Sequence, residues 1–316
     1  MKRNGWVGDG ISVEPCSCCA KRQELTQEKT RKEVRKDWHQ SFLTPDLVKT
    51  RARPNVLYEF QGKPKLLLVR NAVSKKIYAK TLDVLERLDK QGSFKSAKDS
   101  GRGAVKQMLG GELLFGWFKG HTPPNDPITN ITRDQWYGYV GLWDMMRELH
   151  DGMAYHMSEY FAFHDQQANR LARPSGSGSR DTEIVDPLLF LDRQDDPVVR
   201  ANIESEMNWT VNYLVWGTSF SSITVNKSIV FTAHEDGRNM PDTLGALTAL
   251  GDFVGGTLVF PRYGIGADVG PRDILFCDSN EEYHGNLGPI FGKRYSIVGY
   301  LHKSLLSRTF HHASTH

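Results

Sequence analysis

The sequence predicts an α+β protein, a double-stranded β-helix (jelly-roll) core with flanking N-terminal helices. Three observations predict it. From Trp209 onward the chain breaks into short apolar runs separated by turn residues, as in a two-sheet sandwich. Upstream, Trp136, Val140, Trp143, Met146 and Leu149 recur at steps of three and four, a helical stripe suited to packing on a sheet. Finally, His234 and Asp236 are followed by His284 and then by Arg294, a set that a barrel can gather at its mouth.

The elements follow in order. Residues 1–40 are polar. Residues 21–38 can form a helix, but its apolar face is thin and disorder competes. Residues 56–60 and 65–69 read as strands, and Gln61-Gly62-Lys63-Pro64 between them marks a hairpin. Residues 74–88 carry Ile77, Leu82, Val84, Leu85 and Leu88 near helical spacing. Residues 93–111 read as a basic loop, followed by Phe115-Gly116-Trp117-Phe118-Lys119-Gly120. Thr132-Arg133-Asp134-Gln135 reads as the capped start of one long helix to about Arg170. Arg173 to Ser179 is a Gly/Ser break that resembles an engineered linker, a natural flexible loop being the alternative. Strands are expected at 222–226, 228–233, 244–250, 256–260, 265–269, 274–278 and 294–301. Residues 1–45 thus read as a basic arm open to disorder. Residues 46–316 read as one catalytic domain, with a mostly helical layer over 46–186 and the β core over 187–316.

The 316 residues suffice for a large core. No apolar run approaches membrane length, and Met1-Lys2-Arg3-Asn4-Gly5-Trp6 leads into no signal-like stretch, so an intracellular enzyme with no membrane partner is expected. The net charge of +3 hides an asymmetry: residues 1–110 hold 24 Lys+Arg against 12 Asp+Glu, and the remainder 16 against 25. A basic half beside an acidic half suggests a face for a polyanion. Within it Lys95, Lys98, Arg102, Lys106 and Lys119, spaced by Gly and Ser and next to aromatics, suit a nucleic-acid backbone. Of four cysteines, Cys16, Cys18 and Cys19 offer thiolates to a metal, but His39 is the nearest further ligand and too distant for zinc-finger spacing. Cys277 stands alone.

On an extended strand residues i and i+2 share a side, so His234 and Asp236 can reach one metal while Glu235 faces away. With His284 opposite, two imidazoles and a carboxylate can hold one face of an iron(II) ion and leave the other open. Arg294 and Ser296 likewise share a strand face. An arginine and a hydroxyl there can clamp the far carboxylate of 2-oxoglutarate, whose keto end would chelate the metal. The expected cofactors are therefore iron(II) and 2-oxoglutarate, with dioxygen as co-substrate. Asn239, three residues past Asp236, presents a donor and an acceptor suited to a base edge.

These residues also carry a resemblance. Thr224-Val225-Asn226-Lys227, Thr232-Ala233-His234-Glu235-Asp236, Gly255 to Pro261, Asp273 to Phe276, Tyr283-His284-Gly285-Asn286 and Lys293-Arg294-Tyr295-Ser296 together resemble the TET/JBP dioxygenases. The likeness is firm over residues 209–303. It implies oxidation of the methyl group of 5-methylcytosine in DNA after base flipping, and a nuclear, monomeric enzyme. It implies His234, Asp236 and His284 as iron ligands, Arg294 as the 2-oxoglutarate clamp, Asn226 as a polar neighbour of that pocket, and Asn239 and His302 as base contacts. Several relatives carry an acidic residue where this chain has Asn239, which leaves N6-methyladenine, thymine or RNA as alternative targets. A catalytically silent DNA reader is the rival of a different class.

Overall fold

The computed structural model describes residues 20–26, 29–38, 42–96, 105–108, 110–116, 129–172 and 214–303. In chain order the elements are β1 (Lys21–Glu24), α1 (Arg31–Trp38), β2 (Thr50–Arg51), β3 (Val56–Phe60), β4 (Lys63–Val69), α2 (Lys75–Lys90), β5 (Lys95–Ser96), β6 (Val105–Met108) and β7 (Gly111–Gly116). Then come α3 (Asn130–Asp134), α4 (Trp136–Gly141), α5 (Trp143–His156) and α6 (Ser158–Ala172). The remainder is β8 (Ser222–Lys227), β9 (Ile229–Phe231), β10 (Gly245–Val254), β11 (Leu258–Phe260), β12 (Ile265–Ala267), β13 (Ile274–Cys277), β14 (Gly285–Asn286) and β15 (Phe291–Tyr300).

The strands form a nine-stranded sheet in the order β1-β3-β4-β13-β10-β15-β8-β7-β5, a four-stranded sheet β14-β11-β12-β2, and the pair β6-β9. With α2 to α6 forming a layer on the outer face of the large sheet, this is the expected α+β double-stranded β-helix. Alternation along each strand divides the core. On β13, Ile274 and Phe276 join Leu142, Met146 and Leu149 of the helical layer, whereas Leu275 and Cys277 join Phe260, Ile265 and Ala267 between the sheets.

The hairpin over β3 and β4 is tighter than expected. Gln61 (φ 53°) and Gly62 (φ 71°) are both left-handed, a two-residue turn whose twist matches the strands. Pro64 therefore falls inside β4, where the register slips between Tyr58 and Glu59.

Three expectations are corrected. The helix expected over 21–38 is a strand and a shorter helix. Lys21 to Glu24 pair in parallel with β3, satisfying backbone groups that a thin helix would leave wet. α1 then starts at a capping box, with Thr30 N donating to Glu33 Oε2 at 2.6 Å and Glu33 N to Thr30 Oγ1 at 3.2 Å. The single long helix is four. Its start is one turn earlier, where the Thr129 hydroxyl accepts from Thr132 N. It then breaks at Gln135, Leu142 and Met157. A straight rod of this length would leave the curved sheet, whereas the broken one keeps Val140, Trp143, Met146 and Leu149 buried against it. A Cβ on Gly138 or Gly141 would stand 2.8 Å from Leu88 or Val84, so α4 crosses α2 closely because these positions are glycine. Finally, the basic loop over 93–111 contributes β5, which pairs with β7, and β6, which pairs with β9. Cys16, Cys18, Cys19, His39 and the 173–180 linker lie outside the described residues.

Candidate metal centre

The smaller sheets meet through two histidines. His234 lies just past β9 and His284 just before β14, and each backbone N–H donates to the other's carbonyl at 2.9 Å. This one bridge joins the β6-β9 pair to the four-stranded sheet, and at it the two rings lie side by side, centroids 4.6 Å apart. Asp236 is beyond the paired stretch, in a turn where Asn239 N donates back to its carbonyl at 2.8 Å. Its carboxylate lies between the rings: Oδ1 is 3.7 Å from His234 Nε2 and Oδ2 is 3.7 Å from His284 Nε2. The donor atoms of the three side chains lie within 4.8 Å of one another, a spacing that can hold a metal ion.

Both rings are oriented from behind. His234 Nδ1 lies 2.8 Å from Thr232 O, and His284 Nδ1 lies 2.9 Å from Glu282 O. A carbonyl only accepts, so each Nδ1 carries the proton and each Nε2 keeps a lone pair for a metal. A Cβ at Gly285 would meet Thr232 O at 2.7 Å, so the residue after His284 must be glycine for that carbonyl to keep its place.

Two loops are knitted together to fix Asp236 against His284. Asp236 N donates to Ser279 O at 2.8 Å, Asn239 Nδ2 to Ser279 Oγ at 2.7 Å, and Asn280 Nδ2 to Asn239 O at 2.7 Å. The far side of the 278–284 loop is held by Lys65, which is 3% exposed. Its Nζ is 2.7 Å from Asp278 and 3.1 Å from Glu282, and Arg262 and Tyr263 also reach Glu282, at 3.1 and 2.9 Å. Burial works to lower the Lys65 ammonium, but Asp278 and Glu282 outweigh it and raise its pKa. Sequence reasoning missed this anchor; the only signal was a lysine leading an apolar strand. Glu235, between His234 and Asp236, turns to Arg31 at 3.1 Å.

Arg294 and Ser296 lie on the inner face of β15. Ser296 is opposite Asn226 on β8 and Ala249 on β10, and Ala249 belongs to the core between the sheets. Arg294 is 4% exposed, and burial pushes its guanidinium down to about 10. It has no carboxylate partner among the described residues, its Nε has no hydrogen-bond partner, and neither does Asn226 Oδ1. Phe253 lies 5.3 Å away, and a Cβ on Gly256 would come within 3.5 Å of Arg294 Nε. A buried cation without a counterion is costly. A carboxylate of 2-oxoglutarate would meet that need, so these donors fit it. Gly256 links the two parts of the site, since its carbonyl accepts from Asn286 Nδ2, two residues past His284.

Asn239 and His302 are brought together by a β-bridge between their backbones. Both are buried, beside the turn that carries Asp236. Of the expected backbone contacts, Lys95 falls on β5 and Lys106 on β6, in different sheets. Lys98, Arg102 and Lys119 lie outside the described residues. Cys277 is buried and its thiol is pushed up by burial, so it is no metal ligand in waiting.

Residues 196–303 match the Tet_JBP family model, described as the oxygenase domain of the 2OGFeDO superfamily. No curated protein matches the chain. Similar solved structures include NgTET1 in complex with 5mC DNA, 15% identical, with 90% of this chain and 83% of that one covered at a TM-score of 0.49. OsALKBH1 is 15% identical over 75% of this chain and 98% of that one, with a TM-score of 0.35. A Pseudomonas putida prolyl-4-hydroxylase is 18% identical over 50% and 98%, with a TM-score of 0.23.

Proposed function

We propose, from the premise that residues 196–303 form a Tet_JBP oxygenase domain of the 2OGFeDO superfamily, that this chain oxidises the methyl group of 5-methylcytosine in DNA. The cofactors of that superfamily are iron(II) and 2-oxoglutarate. His234, Asp236 and His284 would hold the metal, and Arg294 with Ser296 and Asn226 the far end of 2-oxoglutarate. When bound, they supply with dioxygen a two-electron oxidation of a C–H bond, 2-oxoglutarate leaving as succinate and carbon dioxide.

The observation that carries the reaction class is buried Arg294, whose Nε has no hydrogen-bond partner and which no carboxylate among the described residues reaches, in the same barrel as the His-Asp-His cluster. The protein's own part is positional. Thr232 and Glu282 carbonyls set the imidazole tautomers, the Ser279–Asn280 loop holds Asp236, and Phe231 and Phe260 lay apolar rings beside the two imidazoles.

Asn239 and His302 support a base as substrate. Adjacent and polar, they are the groups we assign to the hydrogen-bonding edge of a flipped pyrimidine. Flipping costs a few kcal/mol, which basic contacts to phosphates offset. The product would be 5-hydroxymethylcytosine, with formyl and carboxyl forms on repeated turnover, and a DNA substrate would place the enzyme in the nucleus. The test is mass spectrometry of nucleosides after incubation with iron(II), 2-oxoglutarate and oligonucleotides carrying 5-methylcytosine, thymine or N6-methyladenine, as DNA and as RNA. Hydroxymethylcytosine from the first DNA is the expected result. Oxidation of another base only would overturn the substrate assignment, and succinate release with none would overturn the nucleic-acid reading.

A further inference from the structure

We propose that α1 is a phosphate-contacting rim of the metal site, a surface separate from the basic loop that the sequence singles out. The inference rests on the nucleic-acid reading above. Helix α1 carries Arg31, Lys32, Arg35 and Lys36 against Glu33 and Asp37. Asp37 pairs with Lys29 at 2.7 Å, and Glu33 closes the capping box on Thr30, so neither acid is spent on Lys32 or Lys36.

Eight residues of this composition do not hold a helix alone. The packing and ion pairs that hold α1 reach the segments that carry the metal ligands. Val34, 1% exposed, packs in a cluster with Ala233 and Tyr283, the residues just before His234 and His284. Arg31 Nε lies 3.1 Å from Glu235, which stands in the chain between His234 and Asp236.

At about 100° per residue, Lys32 and Lys36 share the face turned away from Val34, and Arg35 lies alongside Arg31. The two arginines differ in engagement. Arg31 holds Glu235 closely, whereas Arg35 is 3.9 Å from it and stays exposed. Arg31 is thus a positioning residue, and Arg35, Lys32 and Lys36 are left to face a ligand. Two residues past Asp236 in the chain, Arg238 is also exposed, tied to exposed Lys303 by Lys303 N donating to Arg238 O at 2.9 Å. Exposed cations are therefore found both on α1 and on the ligand-bearing turn. Spread along a rim, they complement the closely spaced charges of a duplex backbone.

The test uses the full chain and a duplex oligonucleotide carrying 5-methylcytosine, with affinity measured across salt concentrations. Each phosphate contact contributes a slope of about 0.9 in log K against log salt. The triple variant Lys32→Gln, Arg35→Gln, Lys36→Gln should lower the slope by roughly 1 to 3 and bind at least about tenfold more weakly at 0.1 M salt. Should the triple variant not fold, Lys36→Gln alone should lower the slope by about 0.9. Arg31→Gln should instead weaken iron(II) binding several-fold while moving the slope by less than one. A wild-type slope in the lysine and Arg35 variants would overturn the rim and leave the nucleic-acid reading standing. No binding by the wild-type chain, or equal binding to an acidic peptide or an anionic vesicle, would overturn both.

Discussion

Arg294 is the residue whose surroundings ask most clearly for a ligand. Its register neighbours are uncharged, its Nε is unbonded, and no carboxylate of the described protein reaches it. Replacing it by alanine removes a charge-assisted pair worth about 2–3 kcal/mol, so KM for 2-oxoglutarate should rise roughly 30- to 150-fold while iron binding persists. Titration of succinate release against 2-oxoglutarate checks this, and an unchanged KM would remove Arg294 from the site. The pH dependence has a definite sign. Burial without a partner lowers the guanidinium to about 10, and a bound carboxylate would raise it again. Binding then takes up a proton only above that value. Affinity for 2-oxoglutarate should be level across neutral pH and fall as the pH rises through about 10, a trend calorimetry would read directly.

At the scale of elements, the ligand-bearing loops were legible and their supports were not. His234, Asp236 and His284 could be read because His-x-Asp and a His-Gly after an apolar strand are local patterns, although Asp236 reaches the site from a turn and not from the extended strand expected for it. Lys65 could not, because a buried lysine declares itself only when Asp278 and Glu282, more than 200 positions away in the chain, fold against it. The helical layer shows the same division. Its apolar stripe was plain in the sequence, but the breaks at Gln135, Leu142 and Met157 answer to the curvature of a sheet that the stripe does not encode. The Lys65 anchor carries its own prediction. Lys65→Met would leave Asp278 buried without its cation and Glu282 with Arg262 alone, a loss of about 3–5 kcal/mol of stability. Denaturant unfolding measures that loss. Because the same loop presents Glu282 O to His284 Nδ1, metal affinity should also fall, by about 10- to 100-fold. Full stability in the variant would show the network to be incidental.

Over the whole molecule, the division of the chain into a basic and an acidic half dissolves in space. The first half supplies β1, β3 and β4 at one edge of the large sheet and β5 at the other, with β2 and β6 in the smaller ones, so its strands border strands from the acidic half on both sides. The same interleaving makes the metal site a seam. The His234–His284 bridge is the backbone link between the two smaller sheets, and Arg294 stands on the large sheet across the barrel. A metal with 2-oxoglutarate would therefore tie all three sheets at once, and folding should be coupled to both ligands. At a hundredfold excess over Kd a ligand that binds only the folded state contributes about 2.7 kcal/mol. For a chain of this size that corresponds to a rise in Tm of about 4 °C. Anaerobic thermal unfolding with iron(II), then with 2-oxoglutarate added, should show two successive increments, and a chelator should reverse both. Asp236→Ala should lose both increments, because the second ligand chelates the first. Arg294→Ala should keep the metal increment and lose most of the other. If Asp236→Ala still responded to iron(II), the seam would not be the metal site.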